Sequence, residues 1–509
     1  MRRALLSVWN KDNIVELANF LIENDFEIIS TGGTKKKLID NGIKVTSISD
    51  ITDFNEVMNG RVKTLHPKIF GGILADRNNS NHLNDLDLIK AKTIDLVVVN
   101  LYPFEDMAIK KTMDLNKLIE YIDVGGPSML RAAAKNYNSV ITLCNPNMYD
   151  DFMITFSKTK GNIDVKKRQL YATQVFLETS RYDSVIYNQF LESQNSNSLP
   201  STINLNLNKA FDLRYGENPH QNASFYTDKE SSCFKQLSAK KLSYNNFFDM
   251  ESAISIIKEF KEKCCCIIKH SNPCGFSKGK TLIQCFEGAV SCDSISYFGG
   301  IVGFNDKIDV KLAQKLIEPF LECVICPDID QEALNILKMK KNLRVIIYNE
   351  DFNLSNFSYK TVMGGILSQT LSCKTIEKKK WKLVTECKPN KKHLEAMELG
   401  WKIVKYVKSN AIVIANKNQI LGVGAGQMSR VDSVKIAIQK IKENGLKIDD
   451  CILASDAFFP FPDSLEIAKN FGIRHFIQPG GSIKDEEIIK IANDIKVSMI
   501  FTNQRLFFH

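Results

Sequence analysis

The sequence predicts an α/β protein made of two regions that join near residue 195. Strand-like and helical segments alternate through the first 145 residues, and this alternation implies a parallel sheet with helices on both faces. A polar run of serine, asparagine and glutamine at 193–201 is typical of a linker, and the α/β pattern resumes after it. We therefore expect one domain at 1–195 and a second at 202–509.

Each region can be divided further from its sequence pattern. In the first, segments that favour strands occur at 4–8, 27–30, 44–49, 95–101 and 139–144, and helical patterns occur at 12–23, 127–135 and about 165–191. The second region contains the order helix, strand, glycine turn, helix and acidic loop twice, with the strands at 264–269 and 411–415. This repetition predicts two similar lobes that divide near 370–390.

Composition indicates a soluble globular protein and argues against several other classes. Apolar residues make up 44% of the 509 residues and charged residues 25%, which is ordinary for such a protein, and no apolar run reaches the roughly 18 residues of a membrane helix. Met1-Arg2-Arg3 leads straight into a strand pattern, so we expect no cleavable signal peptide and a cytoplasmic location. The net charge of +9 is dispersed. We interpret it as a solvated surface that attracts anionic substrates rather than as a nucleic-acid interface.

The thirteen cysteines have the pattern of neither a disulfide framework nor a zinc site. A disulfide framework belongs to short, loop-rich secreted proteins, whereas this chain is long. The CxxC pair Cys323 and Cys326 falls in a strand-like segment, where positions i and i+3 face opposite sides, and no second CxxC accompanies it. We expect buried core thiols and no bound metal.

The segment 264–275 carries the strongest chemical signal. Five apolar or thiol residues predict a strand buried on both faces, and Asn272-Pro273 predicts its end. Lys269 and His270 then lie at the end of the strand, where α/β sheets bind ligands. A lysine supplies positive charge and a histidine exchanges a proton near neutral pH, as an acyl or one-carbon transfer requires. The alternative is a solvated lysine beside a hydrogen-bonded histidine.

Four clusters in the first region are candidates for binding or catalysis. Residues 30–34 (STGGT) follow a strand and open a helix, where backbone N–H groups favour an anion, although a simple helix cap explains this pattern equally well. The loop 59–68 is dense in basic groups, as phosphate sites are, although a solvated face is the default. Tyr102 follows the fourth strand, and Asp123 precedes a helix whose Arg131 and Lys135 share a face.

Ordered motifs throughout the chain resemble one enzyme family. RVKTLHP (61–67), NLYPF (100–104) and DVGGPSMLRAAAKN (123–136) are similar to the IMP cyclohydrolase half of the bifunctional purine-synthesis enzymes. The other half of those enzymes is the transformylase of aminoimidazole carboxamide ribonucleotide (AICAR). Similar to it are LRYGENPHQ (213–221), IIKHSNPCG (267–275), FGGIVGFN (298–305), GVGAGQMSR (422–430) and SDAFFPF (455–461).

The resemblance implies a fold and two successive reactions. The first region would have a methylglyoxal-synthase-like, doubly wound parallel sheet, and the second a two-lobed, cytidine-deaminase-like α/β fold. The second region would transfer the formyl group of 10-formyltetrahydrofolate to AICAR, and the first would close formyl-AICAR to inosine monophosphate (IMP) with loss of water. The folate is a cosubstrate, and no metal or redox cofactor is required. A homodimer with transformylase sites across its interface is also implied.

The resemblance also implies residue roles. His270 would act as the base of formyl transfer, and Lys269 would stabilise the oxyanion or help the folate leave. Asp123 would remove the proton in ring closure. The positions implied to assist oxyanion stabilisation and water loss there are Lys63, Tyr102 and Lys135. The positions implied to bind nucleotide or folate are Ser7, Lys11, Ser30, Thr31, Gly32, Thr34 and Arg61 in the first region and Arg214, Tyr215, Asn410, Arg430, Asp456, Phe458 and Arg505 in the second.

Two departures from the family pattern and two alternative functions stay open. The family's first strand commonly continues Ser-Val-Ser-Asp-Lys, whereas this chain has Trp9 and Asn10 before Lys11, and Phe508 stands where a basic residue often precedes the last histidine. The first region would also suit a regulatory effector-binding module, because a fold does not fix a function. The other alternative is a basic nucleic-acid-binding protein, which strongly salt-dependent binding would identify.

Overall fold

The computed structural model describes residues 1–58, 61–109, 114–192, 199–227, 233–238, 240–349, 357–371 and 377–509. The chain forms two compact units, Met1–Asn206 and Leu207–His509. Most of the predicted linker, residues 193–198, lies outside the described part. So do residues 372–376, within the region where the two lobes were expected to divide.

The first unit contains a parallel sheet with helices on both faces. Its strands are β1 (Arg2–Val8), β2 (Phe26–Ser30), β3 (Thr46–Ser47), β4 (Leu96–Asn100) and β5 (Ile141–Leu143). Its helices are α1 (Ile14–Glu23), α2 (Gly32–Ile39), α3 (Ile48–Thr52), α4 (Pro67–Leu74), α5 (Ser80–Leu88), α6 (Phe104–Ile109), α7 (Leu115–Ile119), α8 (Gly125–Lys135), α9 (Tyr149–Lys158) and α10 (Val165–Glu192). The strands are parallel in the order β3-β2-β1-β4-β5, so the predicted parallel sheet is confirmed.

The two faces of this sheet carry separate apolar cores. In β1, Ala4 and Leu6 pack into one core, whereas Leu5 packs into the other. This is the arrangement expected when successive side chains of a strand point to opposite faces. Both faces of β1 are therefore buried, and the strand is apolar along most of its length.

The third predicted strand is shorter in the structure than in the sequence-based prediction. A two-residue strand, Thr46–Ser47, is followed directly by α3, so a strand over 44–49 is wrong. Asp50 Oδ2 accepts a hydrogen bond from Ser47 N at 3.3 Å, which forms a capping box at the start of the helix. The local capping signal overrides the apolar alternation of this segment.

The second unit contains two six-stranded sheets and two separate hairpins among the described residues. Its strands are β6 (Asn208–Asp212), β7 (Ser224–Thr227), β8 (Phe234–Gln236), β9 (Cys264–Lys269), β10 (Asn272–Lys278), β11 (Ile301–Phe304), β12 (Cys323–Cys326), β13 (Arg344–Tyr348), β14 (Phe357–Val362), β15 (Gly365–Thr370), β16 (Lys382–Leu383), β17 (Ile412–Ala415), β18 (Ile420–Gly424), β19 (Ile452–Ser455), β20 (His475–Gln478) and β21 (Ser498–Phe501). Its helices are α11 (Tyr244–Ile257), α12 (Leu282–Cys292), α13 (Val310–Leu316), α14 (Gln331–Lys338), α15 (Lys391–Val404), α16 (Arg430–Glu443), α17 (Asp463–Phe471) and α18 (Asp485–Asp494).

The two six-stranded sheets have the same topology. Their orders are β10-β9-β11-β12-β13-β8 and β18-β17-β19-β20-β21-β16. In each, the second strand is antiparallel to both neighbours. Three parallel strands follow, and an antiparallel edge strand that comes first in the chain completes the sheet. The chain therefore builds the same sheet twice in succession.

Strand glycines allow a helix to approach each sheet closely at equivalent places. On Gly275 of β10, a Cβ would lie 2.2 Å from the carbonyl oxygen of Ala289 in α12. On Gly422 of β18, it would lie 2.2 Å from the carbonyl oxygen of Ala437 in α16. Both distances are far shorter than van der Waals contact, so this packing depends on the absence of a side chain.

The strand that carries Lys269 is buried as predicted, but its surroundings differ from the prediction. Residues 264–268 are fully buried. Because β9 is antiparallel to β11, Lys269 lies beside the amino end of β11 and not among the carboxyl ends of the parallel strands. The strand ends at Lys269, before Asn272-Pro273, as predicted. Asn272 does not lie in a turn, however: it begins β10, which holds Pro273 next to a bulge on the sheet edge, where the missing N–H of proline is tolerated.

The CxxC cysteines are core thiols, as predicted. Cys323 and Cys326 are fully buried in β12 and pack into different apolar cores. Burial raises the pKa of the Cys326 thiol to about 12, so it stays protonated at neutral pH. Among the described residues, no group of three or more His, Cys, Asp or Glu side chains is placed to hold a metal ion. No helix in that part of the chain has the length and apolar character needed to cross a membrane.

Candidate active sites

The start of α2 is suited to bind an anion. The first backbone N–H groups of a helix have no partner within it, and they carry partial positive charge. Thr31, which precedes the helix, does not cap these groups with its side chain. Its hydroxyl donates instead to Glu56 Oε1 at 2.9 Å. A cap by the Thr31 side chain is thus not formed, and anion binding at this helix start stays a prediction.

Two lysine side chains reach the same helix start. A Cβ on Gly32 would lie 3.4 Å from Lys63 Nζ, and one on Gly33 would lie 3.9 Å from Lys11 Cε. Lys11 Nζ also donates to the Trp9 carbonyl oxygen at 2.9 Å, and burial lowers the pKa of Lys11. Two cationic side chains next to a helix N-terminus form a suitable environment for a phosphate group.

The hydroxyl groups predicted to bind the nucleotide are partly engaged with the backbone. Thr34 Oγ1 accepts from Val8 N at 3.0 Å and donates to Val8 O at 2.9 Å. Ser30 Oγ donates to Leu6 O at 2.7 Å. These bonds fix the start of α2 against β1. Ser7 is partly buried on β1, so of these residues it has the more accessible side chain.

Asp123 lies just before α8 in a largely buried environment. Its Oδ1 accepts from Gly126 N at 2.9 Å, and its own N–H donates to Tyr182 Oη at 2.8 Å. Burial raises the pKa of Asp123, and the Gly126 N–H and the positive charge of Lys63 oppose that effect. Asp123 and Lys63 therefore share one site, in which the carboxyl group is a stronger base than a solvated aspartate.

The two glycines at the start of α8 make room for the carboxyl group of Asp123 and for the side chain of Thr64. A Cβ on Gly126 would lie 2.3 Å from Asp123 Oδ2, and one on Gly125 would lie 2.8 Å from Thr64 Oγ1. The helix start can thus approach both the aspartate and the loop that carries Lys63. This explains physically why two glycines follow the aspartate in the sequence.

Tyr102 belongs to the same cluster. Burial raises the pKa of its phenol, and the negative charge of Asp123 adds to this effect. Tyr102 thus keeps its proton at neutral pH and can donate a hydrogen bond. The ring of Trp9 packs against it at 4.9 Å between centroids. The departure from the family pattern at Trp9 therefore changes one wall of this site.

Two predicted residues are not joined to this cluster by the described contacts. Lys135 is the last residue of α8 and is exposed, and a helix of this length places it about 15 Å from the Asp123 end. Arg61 pairs with Glu120 at 2.5 Å, with both side chains largely exposed. The roles of Lys135 and Arg61 stay predictions.

Sequence reasoning missed two residues of the first site. Tyr182, in α10, accepts from Asp123 N and donates to Tyr121 O at 2.9 Å, so it fixes the segment before α8. Glu56 holds the Thr31 hydroxyl. Because Tyr182 is far from Asp123 along the chain, only the packing of α10 reveals its contribution. Glu56 could have been identified from the sequence, because an acidic residue next to a strongly basic loop is a candidate partner for its charges.

In the second unit, Lys269 and His270 lie at a tight hairpin turn. His270 and Ser271 connect β9 to β10, and both have left-handed backbone conformations, with φ of 51° and 61°. Lys269 Nζ donates to the Phe298 carbonyl oxygen at 2.5 Å. The His270 side chain is exposed. The turn thus presents the imidazole to solvent beside a lysine that the neighbouring loop holds in place.

A second group of predicted residues surrounds the guanidinium of Arg430. Arg430 Nη1 donates to Ser455 Oγ at 2.8 Å and to the Asp456 carboxylate, and Nη2 donates to Asn410 Oδ1 at 2.8 Å. Asp456 is fully buried. Arg430 is the first residue of α16, and Asp456 follows β19. These contacts hold the amide of Asn410 in a fixed orientation.

The hairpin turn and the Arg430 group are connected through residues 408–410. Lys408 N donates to Asn272 Oδ1, just after the turn, at 3.0 Å. Ser409 Oγ donates to the Asp456 carboxylate, and Asn410 contacts Arg430. The structure therefore brings the two groups into one continuous region of the second unit.

The C-terminal segment also packs onto this region. Leu506 N donates to Asp456 O at 2.9 Å, and Ser409 N donates to Phe508 O at 2.9 Å. The guanidinium of Arg505 lies 4.6 Å from the Phe507 ring. Phe508 accepts the Ser409 N–H through its backbone carbonyl. This contact does not depend on the side chain, so the departure from the family pattern at position 508 does not remove it. Phe458, on the loop after β19, is 36% exposed and remains available to a ligand.

Arg214 and Tyr215 form a separate group. Arg214 N donates to Leu242 O at 2.8 Å, and its guanidinium lies 5.1 Å from the Tyr215 ring. Tyr244 N donates to Tyr215 O at 3.2 Å, which attaches the segment to the start of α11. None of the described contacts joins these two residues to Arg430 or His270.

Comparison with known proteins identifies the family of the chain. A family model described as AICARFT/IMPCHase bienzyme matches residues 133–440, which is more than half of the chain. The chain belongs to the AICARFT/IMPCHase bienzyme family. A model of the MGS-like domain matches residues 13–128 of this bienzyme chain. The predicted family and α/β fold class are thus confirmed.

Curated bienzymes are similar to the chain along its full length. The bifunctional purine biosynthesis protein PurH of Petrotoga mobilis is 44% identical over 515 residues, and that of Clostridium botulinum (strain 657 / Type Ba4) is 45% identical over 513 residues. PurH of Bacillus cereus (strain B4264) is 44% identical over 514 residues. Each alignment covers 100% of this chain and 100% of the relative. A solved structure, described as the crystal structure of ForH, is 34% identical over 37% of this chain and 98% of its own, with a TM-score of 0.34.

Proposed function

We propose that the chain formylates AICAR with 10-formyltetrahydrofolate in its second unit and closes the product to IMP in its first. One observation supports this proposal most strongly. The chain belongs to a bienzyme family, and each of its two compact units contains one cluster of candidate catalytic groups. Lys63, Tyr102 and Asp123 form the first cluster. Lys269 and His270 share the turn of the second.

Ring closure in the first unit would use Asp123 as its base. The carboxamide nitrogen of formyl-AICAR attacks the formyl carbon within the same molecule, so correct positioning supplies much of the rate enhancement. Asp123 takes the amide proton, and its raised pKa makes it a better base near neutral pH. Lys63 and the protonated phenol of Tyr102 stabilise the oxyanion and assist loss of water. The start of α2 binds the phosphate of the nucleotide.

Formyl transfer in the second unit would use His270 and Lys269. The 5-amino group of AICAR is a weak nucleophile because its lone pair is delocalised toward the carboxamide. His270 removes a proton as the amine attacks the formyl carbon. A lysine ammonium has three donors, so Lys269 can bond to Phe298 O and still stabilise the oxyanion of the tetrahedral intermediate.

The substrates would be held by the groups around that turn. Asn410, whose Oδ1 accepts from Arg430, is assigned to the carboxamide by resemblance to the family, and Phe458 would offer its partly exposed ring for stacking. Arg505 and the phosphate-binding Arg214 complete the assignment by resemblance to the family. Asp456 is fully buried, so it would act through Arg430 and Ser409, which donate to its carboxylate. Because Arg214 and Tyr215 have no described contact with the other groups, we expect a second copy of the chain to complete the site. A homodimer is therefore part of the proposal. The proposed location is the cytoplasm, as we expect from the sequence.

The test is a pair of substitutions in the second unit. His270→Ala and Lys269→Met should each lower kcat of formyl transfer by about 10² to 10⁴. Both variants should convert supplied formyl-AICAR to IMP at the wild-type rate, because the groups that close the ring lie in the other unit. Circular dichroism verifies that each variant is folded. A folded His270→Ala protein with near wild-type formyl transfer would exclude His270 as the base.

A further inference from the structure

The turn that carries His270 has a backbone conformation that is uncommon for residues other than glycine. Two-residue hairpin loops with left-handed φ at both central positions are normally built from asparagine, aspartate and glycine. Here those positions are occupied by His270 and Ser271. Side chains with a Cβ are disfavoured in this backbone region, and histidine tolerates it better than serine does, so the cost falls mainly on Ser271. Contacts from outside the hairpin must therefore hold the turn in place.

The side chain of Asp249 in α11 supplies such a contact. Asp249 Oδ1 accepts from Ser271 N at 2.5 Å, and the Ser271 hydroxyl lies 3.5 Å from the same oxygen. Burial raises the pKa of Asp249, while the Ser271 N–H, the nearby His270 side chain and the charge of Lys269 oppose that effect. A partly buried carboxylate is therefore placed at the one backbone N–H that directly follows His270.

The other side of the turn is fixed by residue 408, which lies just before β17 of the second six-stranded sheet. Asn272 Nδ2 donates to the His270 carbonyl oxygen at 3.1 Å, and Asn272 Oδ1 accepts from Lys408 N at 3.0 Å. His270 is thus bracketed by two anchors: Asn272, bonded to the loop that leads to Asn410, and Asp249, bonded to Ser271. The second anchor has no other described role in the site.

We propose that Asp249 is a positioning residue for formyl transfer. By accepting the Ser271 N–H, it holds the left-handed turn so that the His270 imidazole points toward the bound amine. A displacement of about 1 Å at a reacting group can cost about 10²-fold in rate, so loss of this anchor acts on kcat more than on substrate binding. The inference rests on the proposed role of His270 as the base.

Variants at Asp249 separate positioning from simple stability. Asp249→Ala removes the acceptor, Asp249→Glu keeps the charge but moves the acceptor by one methylene group, and Asp249→Asn keeps an acceptor in place without the charge. The matched control is Asp309→Ala, since Asp309 in the same lobe accepts a backbone N–H from Leu312 at 2.8 Å, at the start of α13. His270→Ala serves as the reference for loss of the base.

The expected result is a change in kcat that the control does not reproduce. The Ala and Glu variants should lose about tenfold or more in kcat for formyl transfer, with KM for AICAR within about twofold of wild type. Asp249→Asn and Asp309→Ala should stay within about threefold of wild type, and ring closure should be unchanged in all. If Asp249→Glu and Asp249→Ala match Asp309→Ala, or if Asp249→Asn loses as much as Asp249→Ala, the inference is overturned. If His270→Ala is also active in formyl transfer, the proposed role of His270 as the base fails instead.

Discussion

At the scale of single residues, the site in the first unit depends on keeping Asp123 out of water. A buried carboxyl group binds its proton more tightly in the folded protein than in the unfolded chain, and its pKa is raised accordingly. At neutral pH the ionised form therefore lowers the free energy of unfolding. That contribution disappears as the pH falls through the raised pKa and below the unfolded value of about 4. Function at this position thus reduces stability.

This leads to a prediction for Asp123→Asn. The amide can still accept from Gly126 N, and it carries no charge to desolvate. We expect the first unit to melt at a higher temperature than wild type at pH 8, with a difference that shrinks as the pH falls toward and below about 4, while ring closure falls by about 10² to 10⁴. Paired thermal unfolding curves and formyl-AICAR assays provide the measurement.

The outcome that would contradict this account is specific. An Asp123→Asn protein that melts below wild type at pH 8 would mean that the ionised carboxylate stabilises the fold, as a paired surface carboxylate does. A variant that still closes the ring at near wild-type rate would remove Asp123 as the base. The wild-type rate of ring closure should itself fall as the pH drops through the raised pKa, because the base becomes protonated.

Most catalytic candidates could be read from the sequence, but the residues that position them could not. Lys63, Asp123 and His270 stand out because they lie in motifs that resemble those of one enzyme family. Tyr182 and Asp249 are an ordinary tyrosine and aspartate in helical segments. Each matters only because folding brings it to a backbone N–H that is distant along the chain. Local sequence pattern contains no information about such contacts.

At the scale of elements, burial was predictable and strand direction was not. An apolar run such as 264–268 indicates a strand covered on both faces, and the structure agrees. The same run fits a parallel or an antiparallel neighbour, so the hairpin with β10 was missed. Pro273 also argued against a strand at this position, because proline is tolerated in a strand only at a sheet edge or a bulge. Pro273 occupies such a place in β10.

The close approach of α16 to β18 gives a second prediction. A Cβ on Gly424 would lie 1.9 Å from the Ser433 carbonyl oxygen. Gly424→Ala should therefore push α16 away and lower the free energy of unfolding by about 1–3 kcal/mol. Because α16 begins with Arg430, formyl transfer should fall as well. Gly365→Ala is the control, since the nearest atom to its Cβ would be Val362 O at 3.8 Å.

Thermal unfolding and formyl-transfer assays of both glycine variants decide this prediction. If Gly424→Ala is as stable and as active as Gly365→Ala, the helix and strand can separate at no cost. The proposed link between helix packing and the position of Arg430 would then be wrong. Ring closure, which belongs to the other unit, should be unaffected in either case.

At the scale of the whole molecule, the first unit should act alone. Its proposed catalytic groups and Tyr182 all precede the end of α10 at Glu192. A fragment of residues 1–195 should fold and close formyl-AICAR with kcat within about threefold of the full chain, since the buried cores of its sheet contain residues of this segment alone.

A shorter fragment is the matched control. Residues 1–164 lack α10, and with it the Tyr182 bond to Asp123 N and the buried Ala172 and Val175 that complete one core. This fragment should be unstable and inactive. A folded 1–195 fragment with no ring-closing activity would contradict the assignment of that reaction to the first unit.

The central claim is that one chain contains two independent active sites, and complementation tests it most directly. Lys63→Met should convert AICAR to formyl-AICAR and stop there, because its ring-closing site lacks the oxyanion-stabilising lysine. His270→Ala should leave AICAR unconverted but close supplied formyl-AICAR. Chromatography of a single reaction that contains both variants, AICAR and 10-formyltetrahydrofolate should show IMP forming, whereas the double variant Lys63→Met/His270→Ala should form none. If each folded single variant loses both activities, or if the mixture forms no IMP, the two sites are not independent and the account is wrong.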